Sequence, residues 1–224
     1  MLADALVLRD ACNDVVVGTQ PNSLTNDVTV DNTNQTNGRD QFGSFSSGDI
    51  HFYWVYEAPS GRLKTRSSAV APCDRSGPTL PTCETHWAYS HSMYWNNPCS
   101  LMHRVTVRRG VVHYDCARRI LTAGTATCET KISLVTLVPL AASQARLLVR
   151  MADLVSPLGE LYLGYRLNCI ARTIVSVGPF QTRGSVDLEI VLPNINQELF
   201  YRVSDANREV TIDVIGYDCP SGDS

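Results

Sequence analysis

The chain lacks nearly everything by which a catalyst or a metal site announces itself. It has no Gly-x-Ser-x-Gly elbow, and Gly43-Ser-Phe-Ser-Ser-Gly48 has only the composition of a loop. No Cys-x-x-Cys pair occurs, which removes the usual zinc-knuckle and thioredoxin spacings. The Asp- and Asn-rich stretch after Thr25 does not match the ligand spacing of an EF-hand loop. The five histidines, His51, His86, His91, His103 and His113, are scattered. His86 and His91 stand five apart, which on a regular strand puts them on opposite faces and speaks against a shared metal. Asp187, Glu189 and Asp213 alternate with apolar residues as on a wet sheet surface, not as an acid–base pair in a cleft. The expectation is no enzyme, no cofactor and no metal; a small secreted hydrolase is the least supported reading.

Other absences bear on partners and location. Charged residues make up 18% of 224 residues and the net charge is -3, so the basic stripe of a nucleic-acid binder is missing. The pairs Arg108-Arg109 and Arg118-Arg119 read as solvated strand ends. No run approaches the ~18 apolar residues of a membrane-spanning helix. The start, Met1 to Asp10, has no basic region, and Asp4 and Asp10 interrupt its apolar residues, so it does not read as a secretory signal. No helical period is sustained; the one candidate is a short helix at Ala141-Ala-Ser-Gln-Ala.

What the chain does have is alternation. Between Ser185 and Tyr217, the segments Val186-Asp-Leu-Glu-Ile-Val-Leu and Val210-Thr-Ile-Asp-Val place apolar residues at every second position. Such a period gives a pleated strand one buried and one wet face. Further strands are expected at 132–138, 146–151, 160–167, 172–177 and 199–203, punctuated by Gly, Pro and Asn. Ile50-His-Phe-Tyr-Trp-Val-Tyr, a turn at Pro59 to Gly61 and Arg62-Leu-Lys-Thr-Arg make a hairpin. Arg104-Val-Thr-Val, Arg109-Gly110 and Val111-Val-His-Tyr make another. This spacing predicts an all-β, antiparallel sandwich of jelly-roll type. Residues 1–48 are read as an N-terminal arm and polar loop region, and 49–224 as the sandwich, divisible into a Cys-rich 49–130 and a C-terminal 131–224.

Eight cysteines, Cys12, Cys73, Cys83, Cys99, Cys116, Cys128, Cys169 and Cys219, are many for a reducing compartment. They predict disulfides of open connectivity, formed in an oxidising setting and clamping long loops. Asn34-Gln-Thr is a glycosylation sequon, with meaning only in a eukaryotic secretory path.

The sharpest chemical feature is Thr85-His-Trp-Ala-Tyr-Ser-His-Ser-Met-Tyr-Trp-Asn-Asn. As one regular strand it would carry Trp87, Tyr89, His91, Met93 and Trp95 on a single face. Flat rings stack on sugars, and amides hydrogen-bond to their hydroxyls. Trp87, Tyr89, Trp95, Asn96 and Asn97 are therefore the candidate carbohydrate site, set against the alternative that the rings simply pack in a core.

The C-terminal third, about Gly159 to Tyr217, resembles the β-sandwich modules of tail-fibre and minor virion proteins of tailed bacteriophages. The residues responsible are Glu160-Leu-Tyr-Leu-Gly-Tyr-Arg, Leu188-Glu-Ile-Val-Leu-Pro, Leu199-Phe-Tyr-Arg-Val-Ser-Asp-Ala-Asn and Val210-Thr-Ile-Asp-Val-Ile-Gly-Tyr. The resemblance covers about a quarter of the chain and implies a non-enzymatic structural or host-attachment protein, virion-borne or extracellular. It also implies a homo-oligomer that contacts other virion subunits or a host-surface glycan; net charge and the lack of a long apolar run add the expectation of no nucleic acid and no membrane insertion. The alternative from the residues alone is a secreted, lectin-like carbohydrate-binding module.

Overall fold

A computed structural model describes residues 5–10, 15–19, 38–40, 45–58, 60–71, 78, 80, 83–96, 102–108, 110–153, 159–164, 172–177, 183–191 and 197–219. Among them every regular element is a strand. The chain divides into two compact units, one of residues 1–102 with 220–224 and one of 103–219.

The first unit holds β1 (Ala5–Arg9), β2 (Val15–Thr19), β3 (Gly38–Arg39), β4 (Gly48–Glu57), β5 (Arg62–Ser68) and β6 (Glu84–Trp95). They form one six-stranded sheet in the order β2-β1-β6-β4-β5-β3, antiparallel except for the short β3 beside β5. The β4–β5 hairpin closes where Glu57 faces Arg62. Gly61 sits there at φ 67°, a left-handed conformation that costs glycine little, and donates its N–H to the Glu57 carbonyl at 2.9 Å. Tyr53, Val55 and Ile50 are at most 1% exposed and form the core of this sheet.

The second unit holds β7 (Val105–Arg108), β8 (Val111–Gly124), β9 (Thr130–Ser133), β10 (Gln144–Asp153), β11 (Gly159–Gly164), β12 (Arg172–Val177), β13 (Arg183–Val191), β14 (Glu198–Val203) and β15 (Arg208–Asp218). A five-stranded sheet runs β13-β10-β15-β8-β7 and a four-stranded sheet β12-β11-β14-β9. Gly110, at φ 75°, turns β7 into β8. The alternating Val210, Ile212 and Val214 are fully buried opposite Met151, Val149 and Leu147 of β10. Asp213, on the other face, takes Arg119 from β8 and Arg150 from β10, which ties three strands together.

Three expectations are corrected. The strands do not make one jelly roll: they divide into three sheets, each open at both edges among the described residues. Nor does any clamping disulfide occur among the described residues. Cys83, Cys116 and Cys128 are exposed thiols, Cys219 is buried at the end of β15, and no bridge joins any of the four. Ladder hydrogen bonds and apolar burial hold the strands in or next to which these four thiols lie, and a bridge would demand a close approach of two Cβ atoms. Cys12, Cys73, Cys99 and Cys169 lie outside the described residues, as does the sequon at 34–36. The short helix is the third correction. Residues 140–141 form a turn and 144–145 already belong to β10, because Ala142 N–H donates to Pro139, Ser143 N–H to Asp218, and the Gln197 side-chain amide to Pro139. The two non-local bonds, to Asp218 and from Gln197, take groups that a helix would pair internally.

Candidate functional site

The aromatic segment is β6, paired along its length with the equally aromatic β4. Their register is regular from Tyr56↔His86 through Trp54↔Ala88 to Tyr53↔Tyr89, then slips. Phe52 pairs with His91, so Ser90 is an extra residue in β6. A bulge of this kind exchanges the faces of everything beyond it. Trp87 and Tyr89 therefore lie on the face of Tyr53 and Val55, whereas His91, Met93 and Trp95 pass to the face of Phe52 and Ile50.

Ring contacts agree with that division. Tyr53 meets Trp87 edge-on at 5.5 Å and Tyr89 at 5.7 Å. On the other face Phe52 stacks flat on His91 at 4.6 Å, and Tyr56 meets His86 edge-on at 6.0 Å. The single platform of Trp87, Tyr89 and Trp95 is thus not assembled. Tyr89 and Trp95 are each 6% exposed, and Trp95 Nε1 is buried without a hydrogen-bond partner. Trp87 is half-buried, Asn96 is exposed, and Asn97 lies outside the described residues.

The Tyr53 face is unusually polar for a buried surface. Ser68, His51 and Ser92 form one lateral row across β5, β4 and β6, all at most 4% exposed. Burial pushes His51 down to about 4, so it is neutral at pH 7. Beside this row Arg66 reaches across β4 to Glu84, donating from Nε at 2.8 Å and also from Nη2. Both side chains are at most 1% exposed. This pair is sealed and offers nothing to a ligand.

The Phe52 face changes along its length. At one end Ile50, Phe52, Met93 and Trp95 are buried; at the other Trp54, Tyr56, His86, Ala88 and His91 are half-buried. Their neighbours on β5 are Leu63, Thr65 and Ser67. Across these positions of the three strands no side chain is charged. Thr85 Oγ1 lies 2.8 Å from His86 Nδ1, and Ser90 Oγ lies 2.9 Å from His91 Nδ1. His91 keeps some exposed surface, yet burial holds it down to about 4. Rings with polar tips on a part-open sheet face, at positions without charge, are suited to stacking against a ligand that carries its own hydroxyls.

Trp54 and Tyr56, the two largest half-buried rings here, were absent from the candidate set. Their signal was legible in the run from Ile50 to Tyr56, where Phe52, Trp54 and Tyr56 recur at period two. The run reads first as a strand, and strand propensity masks it as a surface. His86 and His91 share this face because of the bulge, against the expectation of opposite faces. Among the described residues no group of three His, Cys, Asp or Glu side chains is placed to hold a metal ion. No helix of the described residues is long and apolar enough to cross a membrane. No protein-family model, curated protein or solved structure matches the chain, so the likeness to tail-fibre modules has no counterpart among them.

Proposed function

We propose that the protein is a non-catalytic binding module that takes a carbohydrate on the half-buried aromatic face of β4 and β6. The observation that carries this reading is the row of Trp54, Tyr56, His86 and His91 on one face, at positions where β4, β5 and β6 carry no charge. Indole and phenol faces stack on the C–H side of a sugar ring, and stacking on a sheet orients them in advance. A glycan array with the intact protein tests the reading. Binding is expected, and Trp54→Ala should abolish it with the fold retained; no hit on the array sinks it.

A second reading has its own observation. The edge strand β2 is Val-Val-Val-Gly-Thr, with Val15 and Val17 53% and 65% exposed beside Val7 at 39%. An uncharged β-branched edge without proline lacks the usual devices against edge pairing. It favours a structural or attachment subunit that contacts copies of itself, the role implied by the tail-fibre likeness. Light scattering separates the two: Val17→Lys should dissociate an oligomer under this reading and leave glycan binding untouched under the first.

A further inference from the structure

The two histidines on the aromatic face define how long its ligand is. His86 faces Tyr56 and His91 faces Phe52, four residues apart on β4. At a rise of about 3.3 Å per residue their backbone positions are about 13 Å apart along the strand. That span exceeds any single pyranose ring. Between them lies the Trp54↔Ala88 row, where a large ring faces a methyl group and the surface is shallow.

Both histidines are built alike. Each follows a hydroxyl residue, Thr85 or Ser90, whose oxygen occupies Nδ1 and leaves Nε2 as the ring atom for a ligand. A hydrogen-bonding tip thus stands at each end of a stacking centre. The bulge at Ser90 is what allows it, since in unbroken alternation the second histidine would point through the sheet.

We infer that the site takes an uncharged oligosaccharide, longer than one ring, laid along β4 with Trp54 under its middle and His86 and His91 at its ends. The occupant is uncharged because the half-buried positions of β4, β5 and β6 on this face carry neither a guanidinium or ammonium for a sulfate or carboxylate, nor a carboxylate for an amine, and Arg39, which β3 sets beside Ser67 on the same face, is buried over Phe45. This inference rests on the carbohydrate reading above and goes beyond it in length and charge.

The test is an array of neutral and acidic glycans of one to five sugar units, followed by calorimetry on the hits. Hits confined to neutral glycans of two units or more are expected, with affinity rising from one unit upward. His86→Ala should then weaken an oligosaccharide about tenfold, the loss of one hydrogen bond. Thermal melting of the variant checks its fold. Monosaccharides binding as tightly as oligomers, or a preference for sulfated or sialylated glycans, would overturn the inference while the carbohydrate reading stands. An array without hits removes both.

Discussion

At the residue scale, two tryptophans of one sheet stand in different surroundings. Trp95 is 6% exposed, so Trp95→Ala should cost about 3–5 kcal/mol of stability in denaturant titration. Trp54 is half-buried, and Trp54→Ala should cost less stability and show its effect in glycan binding. The buried Arg66–Glu84 pair gives a second contrast. Glu84→Gln leaves a buried guanidinium uncompensated and should destabilise by about 3–5 kcal/mol, whereas Arg66→Met with Glu84→Leu should recover much of the loss. His51 supplies the pH dependence. Its folded pKa of about 4 lies below the unfolded 6.5, so the unfolded chain binds the proton first. Its contribution is complete above pH 6.5 and declines as pH falls towards 4, by about 3 kcal/mol in all. His91 acts with the same sign. Melting temperature against pH should therefore fall across that window, and His51→Asn should flatten the slope.

At the scale of elements, hairpins were the most legible part of the chain. Gly61 and Gly110 mark turns because a left-handed φ is cheap only for glycine, a local rule readable without neighbours. The bulge at Ser90 was not legible. Nothing in Tyr-Ser-His distinguishes it, and the extra residue exists because β4 presents one fewer partner there. The short helix failed for the same kind of reason: its backbone groups are claimed by Asp218, fixed far along the chain. Gly216 shows how tight such non-local pairing is. A Cβ at this position would lie 2.3 Å from the Val112 carbonyl oxygen. Gly216→Ala should push β15 from β8 and cost about 1–3 kcal/mol, read by hydrogen exchange at both strands.

At the scale of the whole molecule, each unit has its own sheets and its own buried residues, with fully buried Tyr53 and Val55 in one and Leu147, Leu161 and Ile212 in the other. A fragment of 103–219 should accordingly fold by itself, with a cooperative melt and a β-type circular dichroism spectrum. The cysteines make a separate prediction. In the native protein a maleimide should label Cys83, Cys116 and Cys128 rapidly, whereas Cys219 should react only on unfolding; mass spectrometry of the labelled peptides reads the difference. The sequence by itself determined that the chain is built of two-faced strands and where several of its turns fall, because alternation and turn chemistry are properties of neighbouring residues. Only the tertiary structure decided that the strands form three sheets in two units, that the described thiols stay unbridged, and that Trp54 and not Trp95 meets solvent. Those outcomes depend on which strand lies beside which and on a slip of one residue, and register between distant segments is set by the sum of packing across the whole sheet.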